Sequence, residues 1–188
     1  RCVKVGVYLV DNITPSAGGN FSYYDRFIRA IDKHQFSEPV EVCFTGRIPG
    51  SEVKLSKSYV ELSSVSYDRF FKIFRKTGIA NTLKTRLSVN VDHANKRDLK
   101  ILGDNHIDLI LFPKQFVRDL ENFQFMTMNW DVAHKSAPSF PEFIEDYAVR
   151  DEWFRVYIQK GLAIIVESEA SKTEFVKYYN IQPDKIHV

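Results

Sequence analysis

The chain begins with an apolar, strand-like stretch that leads to a pair of glycines and then to a helical pattern. The stretch reads Val3-Lys4-Val5-Gly6-Val7-Tyr8-Leu9-Val10, and Pro15 and Ser16 connect it to Gly18-Gly19. Glycine has no Cβ, so backbone N–H groups can approach an anion closely, and the following helix directs the positive end of its dipole at the same place. This order predicts a phosphate-handling turn. A turn that only reverses the chain direction is the alternative.

Two phosphate-binding chemistries are excluded by the spacing of these glycines. The segment has neither the G-x-G-x-x-G pattern of dinucleotide-binding domains nor the G-x-x-x-x-G-K-[ST] loop of nucleoside triphosphatases. The sequence therefore supports neither of these two chemistries.

Length and composition set the broad class of the protein. The 188 residues fit one domain that can bury its core without disulfides or a structural metal. Cys2 and Cys43 lie in or beside apolar runs, which favours two small buried thiols in a reducing, cytoplasmic compartment over a disulfide. A formal charge of +2 is too small to indicate a nucleic-acid partner. The sequence has no apolar run near the roughly 20 residues that a membrane span needs.

Apolar runs and helical periodicity alternate along the rest of the chain. A helix is predicted from about Asn20 to Lys33, another near Lys96 to Asn105, a long one behind the capping box at Ser139 to Glu142, and a last one from the Ser168 cap to Tyr179. Strands are predicted at 3–10, 40–44, 59–62, 107–112, 125–129 and 162–166, while Gly46 to Lys57 is expected to form a surface loop. The alternation predicts an α/β fold with a Rossmann-like parallel sheet and helices on both faces.

In such a sheet, ligands bind beyond the carboxyl ends of the strands. The turns after Val10, Phe112, Asn129 and Val166 are therefore expected to converge at one edge.

The segment 67–76 combines aromatic and basic residues at helical spacing. Tyr67, Phe70, Phe71 and Phe74 would share one face, with Arg69, Lys72, Arg75 and Lys76 interleaved. The aromatic face can pack on the sheet, or the helix can dock peripherally on the anionic inner face of a membrane. Residues 78–97 are expected to be rich in helix.

Three segments together resemble the N-terminal half of a retaining glycosyltransferase of the GT-B type, specifically family 4. They are the strand that leads to Gly18-Gly19, the loop Asn129-Trp130-Asp131-Val132-Ala133-His134 with residues 138–142 behind it, and the stretch from Ile164 to Lys172 with Tyr179 to Val188 after it. The resemblance implies that residues 1–188 are the acceptor-side domain, and that a C-terminal, donor-binding domain is absent from this chain.

The resemblance also implies an activity. The full-length enzyme would transfer a hexosyl group from a nucleotide sugar to a polysaccharide, lipid-linked or other glycan acceptor, without a bound metal or other cofactor. The chain by itself is expected to fold and to be inactive, because it holds half of the cleft. The final residues Lys185 to Val188 read as the entry to another strand, so a fragment of a longer polypeptide is expected.

The resemblance assigns candidate site residues to this sequence. Asp131 and His134 are the candidate catalytic residues, and Gly18, Gly19, Trp130 and Ser168 are the candidate donor- or acceptor-binding residues. The family often has His-Asp-Leu where this chain has Trp130-Asp131-Val132, so no histidine role is carried over to position 130.

Each of these residue types also has a structural alternative. Asp131 can serve as a turn carboxylate, His134 as a capping or surface histidine, and Ser168 as an ordinary helix N-cap. At the level of the whole protein, the alternatives are a sugar-nucleotide epimerase of the same two-domain build and a non-catalytic, protein-binding Rossmann-like module.

Overall fold

A computed structural model describes residues 2–10, 19–36, 39–63, 96–113, 120, 122–140 and 147–188. These residues contain seven strands: β1 (Val3–Leu9), β2 (Val40–Gly46), β3 (Tyr59–Glu61), β4 (Leu109–Phe112), β5 (Phe125–Met128), β6 (Ala163–Ile165) and β7 (Ile186–His187). The helices are α1 (Gly19–Lys33), α2 (described over 96–104), α3 (Ala133–Ser136), α4 (Tyr147–Glu152) and α5 (Glu169–Tyr179).

The strands form one sheet in the order β3-β2-β1-β4-β5-β6-β7. Each neighbouring pair is parallel, as the alternation of strands and helices predicted. Because β1 lies between β2 and β4, the direction in which strands are added reverses at the β1/β4 boundary. A parallel sheet with such a reversal has a crevice at its carboxyl edge, where ligands bind in Rossmann-like folds.

The two faces of the sheet carry separate cores. Successive strand residues point to opposite faces, so Val7 and Leu9 pack with Ile28 of α1 on one face. Tyr8 lies on the other face in a cluster with Leu102 of α2 and Phe175 of α5. Burial on both faces explains why the strands are apolar nearly throughout. Cys43 is buried as predicted, whereas the prediction for Cys2 is wrong, because it precedes β1 and is exposed. The Rossmann-like α/β prediction is confirmed.

The last helix has the predicted caps at both ends. Ser168 adopts an extended conformation and its side chain accepts a hydrogen bond from Ser171 N, so it is the N-cap. Asn180 ends the helix with φ 52°, in the left-handed region that asparagine tolerates. The strand expected after Lys185 is β7.

The helix before β6 is less regular than the sequence pattern predicted. After α4 the chain forms a π-helical segment, Trp153–Tyr157, and then a 3-10 turn, Ile158–Lys160. Trp153 and Phe154 are adjacent in sequence and both buried. In a regular α-helix, the side chains of neighbouring residues point about 100° apart around the helix axis. A π-helical segment changes this rotation per residue locally.

The segment Gly46 to Lys57 is only partly the surface loop that was predicted. Gly46 is the last residue of β2, and Arg47 is buried with 8% of its surface exposed. An added Cβ at Gly46 would lie 2.8 Å from the carbonyl oxygen of Leu9, so glycine is required where β1 and β2 pack most closely. From Ile48 to Lys57 the chain is partly exposed or exposed.

Arg47 belongs to a buried ion pair at the carboxyl edge of β2 and β3. Its Nη2 lies 2.6 Å from Asp98 Oδ2, and its Nε and Nη1 donate to Ser63 O and Tyr8 Oη. Asp98, with no exposed surface, also accepts from Ser63 N at 2.8 Å and from Ser63 Oγ at 2.6 Å. A buried pair needs this degree of hydrogen bonding because both charges have left water.

Several sequence predictions fall outside the described residues. They are the basic aromatic helix 67–76, most of the 78–97 segment, Gly18, and residues 141–146, which include part of the capping box. No helix in the described part of the chain is both long and apolar enough to cross a membrane.

Candidate functional site

The carboxyl edge of the sheet brings together segments that are far apart in sequence. Val10, just after β1, donates its N–H to Tyr24 Oη of α1 at 2.8 Å. Asn129, just after β5, donates its N–H to Ile165 O at the end of β6. The first part of α1 and the turns after β5 and β6 therefore meet at this edge.

Trp130 is the central residue of this meeting point. Its backbone carbonyl accepts a hydrogen bond from Ser171 Oγ at 3.0 Å, which ties the β5 turn to α5. Its ring contacts Tyr23 of α1 edge-to-face, with centroids 5.3 Å apart and planes at 82°. The fold thus brings Trp130 close to the Ser168 turn, as the expected convergence requires.

Asp131 lies next to Trp130 with 48% of its side chain exposed. Its Oδ1 accepts from Ala133 N at 2.8 Å, which makes it a turn carboxylate at the start of α3. The same oxygen lies 3.3 Å from Arg150 Nη2. The structural alternative for Asp131 is confirmed, and its exposure leaves the carboxylate accessible to a ligand as well.

His134 is placed in the interior of the protein. Its ring has no exposed surface and stacks on Phe154, with centroids 5.2 Å apart and planes at 12°. Burial is the main cause that lowers the pKa of His134 to about 4, and the positive charges of Arg150 and Lys135 contribute to the same shift. His134 is therefore neutral at pH 7. Neither a surface histidine nor a side-chain helix cap describes this position.

The proton on the His134 ring can be assigned from its neighbours. The Tyr179 hydroxyl donates its single proton to Asp151 Oδ1 at 3.1 Å, so its oxygen accepts from His134 Nε2–H at 2.5 Å. Nδ1 then carries the lone pair, and it is buried with no hydrogen-bond partner among the described residues. The imidazole connects α3 to the end of α5.

Lys135 extends this network toward α4. Its Nζ lies 2.7 Å from Asp151 Oδ1 and donates to Tyr147 Oη at 2.9 Å. The hydrogen bond from Lys135 is the main cause of the lowered pKa of Asp151, and burial is the main cause of the raised pKa of Tyr179. We call His134, Lys135, Tyr147, Asp151 and Tyr179 the α3 network, because they hold α3 and the Trp130–Asp131 turn against α4 and α5.

The burial of His134 within the α3 network bears on its predicted catalytic role. A buried ring cannot touch a sugar in the crevice unless the loop opens. In the described conformation, the His134 ring contacts Phe154 and Tyr179 rather than the crevice. The catalytic assignments of Asp131 and His134 stay predictions.

The remaining predicted site residues have distinct positions. Ser168 caps α5 and its Oγ also lies 3.0 Å from Ser171 Oγ, so the N-cap alternative is confirmed. Gly19 is exposed at the start of the described α1, and an added Cβ there would meet nothing within 4 Å. Glycine at position 19 is thus not required for packing. Gly18 lies outside the described residues.

Sequence reasoning missed several residues of this edge. Tyr23 escaped notice because it lies off the apolar stripe of α1, and that position is itself a signal for an exposed aromatic. Ser171 is recognisable as a polar residue one turn after the Ser168 cap. Tyr179 and Asp151 belong to separate helices, and the hydrogen bonds that join Tyr179 to His134 and to Asp151 depend on how those helices pack.

Comparison with known proteins gives no matching family model and no matching curated protein. Within the described residues, the structure contains no group of three or more His, Cys, Asp or Glu side chains that could hold a metal ion.

Proposed function

We propose that this chain is the acceptor-side domain of a retaining glycosyltransferase of the GT-B type, which transfers a hexosyl group from a nucleotide sugar to a glycan or lipid-linked acceptor. One observation carries the proposal. The segments that resemble this family are distant in sequence, yet α1, the Trp130–Asp131 turn and the Ser168 turn meet at the carboxyl edge of a Rossmann-like sheet. Rossmann-like folds bind their ligands at that edge.

The residues at this edge suit a division of roles. Gly19 lies at the start of the described α1, where a missing Cβ and helical N–H groups would favour approach of the donor phosphates. Asp131 is the exposed carboxylate beside the crevice, available to a sugar hydroxyl. His134 acts through the α3 network as a positioning residue for Asp131.

The donor-binding domain, a nucleotide-sugar donor and an acceptor complete the proposal. In the overall reaction the acceptor hydroxyl oxygen bonds to the anomeric carbon, the bond from that carbon to the nucleotide oxygen breaks, and the hydroxyl proton is released. The nucleoside diphosphate leaves with the bonding electrons. A metal is not part of the proposed site.

The test uses the full-length protein and a panel of nucleotide sugars, with release of nucleoside diphosphate as the readout. Gly19→Val should raise the donor KM by about tenfold or more, which corresponds to about 1.4 kcal/mol of lost binding. Gly103→Val is the matched control, because an added Cβ at Gly103 in α2 also meets nothing within 4 Å. The control should leave the donor KM unchanged.

The outcomes separate the competing functions. Absence of hydrolysis and transfer with every nucleotide sugar, together with unchanged donor binding in Gly19→Val, would refute the glycosyltransferase proposal. A changed sugar nucleotide formed without an acceptor would indicate an epimerase instead.

The protein-binding alternative depends on the 67–76 segment. If it is correct, charge reversal at Arg69, Lys72 and Arg75 will abolish partner binding and leave sugar transfer intact. Salt-sensitive binding to liposomes tests the membrane alternative.

A further inference from the structure

Tyr23 is a large aromatic side chain that the fold leaves open at the carboxyl edge. It retains 43% exposure although it contacts Phe27 one turn further along α1 and Trp130 after β5. Exposing an aromatic ring is unfavourable relative to burying it, because its apolar surface stays in contact with water. At a ligand-binding edge, such a ring is available to an apolar surface on the ligand.

The two rings make a corner rather than a slot. Tyr23 and Trp130 meet at 82°, so they do not form the pair of parallel planes that would enclose a flat nucleobase on both sides. A pyranose ring has an apolar face of C–H groups and a rim of hydroxyls, which suits one open aromatic wall and polar groups at its side.

A negative charge near the Tyr23–Trp130 corner favours an uncharged ligand over an anionic one. Glu167, two residues after β6, is exposed. Glu167 directly precedes the Ser168 cap, which is tied through Ser171 to the Trp130 carbonyl, so Glu167 lies on the same side of the sheet as the Tyr23–Trp130 pair. Burial, and then the negative charge of Glu167, raise the pKa of the Tyr23 phenol. A carboxylate accepts hydrogen bonds from sugar hydroxyls and repels a phosphate group. The corner therefore suits an uncharged sugar better than the diphosphate of a donor.

The corner is held firmly by the surrounding structure. The Trp130 carbonyl is fixed by Ser171 Oγ, and Ser171 is itself tied to the Ser168 cap. Tyr23 extends from the 15-residue helix α1. A binding surface whose walls are already in place loses less conformational freedom when the ligand binds.

We propose that Tyr23 and Trp130 form the aromatic wall of a subsite for an uncharged pyranose of the acceptor, with Glu167 receiving hydrogen bonds from its hydroxyls. This inference rests on the proposed function and adds to it the residues that would recognise the acceptor. Neither Tyr23 nor Glu167 is among the site residues that were predicted from the sequence.

The experiment is saturation-transfer NMR with this chain and four probes: methyl α-mannopyranoside, methyl β-glucopyranoside, methyl β-galactopyranoside and uridine diphosphate. We expect at least one glycoside to bind saturably, with the strongest transfer to the protons of its apolar face. Tyr23→Ala should weaken this binding about fivefold to tenfold, the scale of one aromatic contact. Tyr23→Phe should retain it, because the ring is kept. Glu167→Gln should weaken it by a smaller factor.

Phe36→Ala is the matched control for loss of an exposed aromatic. Phe36 is 38% exposed and also meets a second ring edge-on, that of His34, but it lies just before β2 at the amino edge of the sheet. The control should bind the glycosides as the unaltered chain does. Circular dichroism of each variant checks that the fold is retained.

Three results would overturn the proposal. The first is that no glycoside binds saturably, and the second is that Phe36→Ala weakens glycoside binding as much as Tyr23→Ala does. The third is that Tyr23→Ala weakens the binding of uridine diphosphate and leaves glycoside binding unchanged. Failure of the subsite is distinguishable from failure of the proposed function. Sugar transfer by full-length protein with an unchanged acceptor KM in Tyr23→Ala would refute the subsite alone. Tyr23-dependent glycoside binding without any transfer would support the subsite and refute the glycosyltransferase.

Discussion

Replacing Asp98 with alanine removes the acidic member of the buried ion pair and takes the Asp98 carboxylate away from the Arg47 guanidinium. The side chains of Arg47 and Asp98 are 2% and 0% exposed, so water cannot replace the lost partner. Removing one member of such a pair typically costs about 3–5 kcal/mol. Ser63 N and Oγ lose their acceptor in the same variant, which places the expected cost toward the upper part of that range.

The measurement is urea and thermal unfolding followed by circular dichroism. For a chain of this length, about 2–4 °C of Tm is lost per kcal/mol, so a loss of roughly 8–20 °C is expected. Asp104→Ala is the matched control on the same helix, because Asp104 pairs with Lys100 at 2.5 Å but both side chains are more than half exposed. Its cost should stay below about 1 kcal/mol.

A double variant, Arg47→Met with Asp98→Leu, separates charge burial from loss of packing. It removes both charges and should be more stable than Asp98→Ala, although Tyr8 and Ser63 lose their contacts with Arg47. Equal destabilisation by Asp98→Ala and Asp104→Ala would refute the reasoning that a buried charge dominates at this site.

Three further predictions concern the core and the helix ends. The pKa of His134 is about 4 when folded and 6.5 ordinarily; below pH 6.5 the unfolded chain binds a proton that the folded chain excludes. Stability should therefore fall by about 3 kcal/mol in all as the pH drops from 6.5 to 4, and urea titrations of His134→Gln should lack this decline. Gly46→Ala should lose about 1–3 kcal/mol because its Cβ would meet Leu9 O at 2.8 Å, whereas Gly103→Ala should gain about 0.5–1 kcal/mol; the opposite order by thermal unfolding would contradict this. Ser168→Ala should cost about 1 kcal/mol through loss of the N-cap, and unchanged stability would show that the cap contributes nothing.

The sheet was predictable because local pattern and tertiary role coincide in its strands. The runs 107–112 and 162–166 supply side chains to the cores on both faces of the sheet, although Leu162 is 51% exposed. Their apolar sequences therefore report most of the burial directly. The Ser168 cap and the left-handed Asn180 were predictable for a related reason, since helix ends are determined by residues within a turn of each other.

The environment of His134 could not be predicted in the same way. Its ring lies against Phe154 and Tyr179, which follow it by 20 and 45 positions, and Tyr179 in turn donates a hydrogen bond to Asp151. The spacing from Asp131 to His134 indicated a polar loop, yet the helices α4 and α5 cover that loop. Arg47 shows the same limit, because its partner Asp98 is 51 positions away.

By itself, the sequence determined the strands, most helix ends, the parallel α/β class and the turns that would meet at the carboxyl edge. Hydrophobic periodicity and capping act over a few residues, so these features depend on residues that are close together in the sequence. The tertiary structure decided which side chains are accessible at that edge: Asp131 and Tyr23 face solvent, whereas His134 is buried. Exposure depends on how separate helices pack over a loop, and that packing is the sum of many contacts between residues distant in the chain.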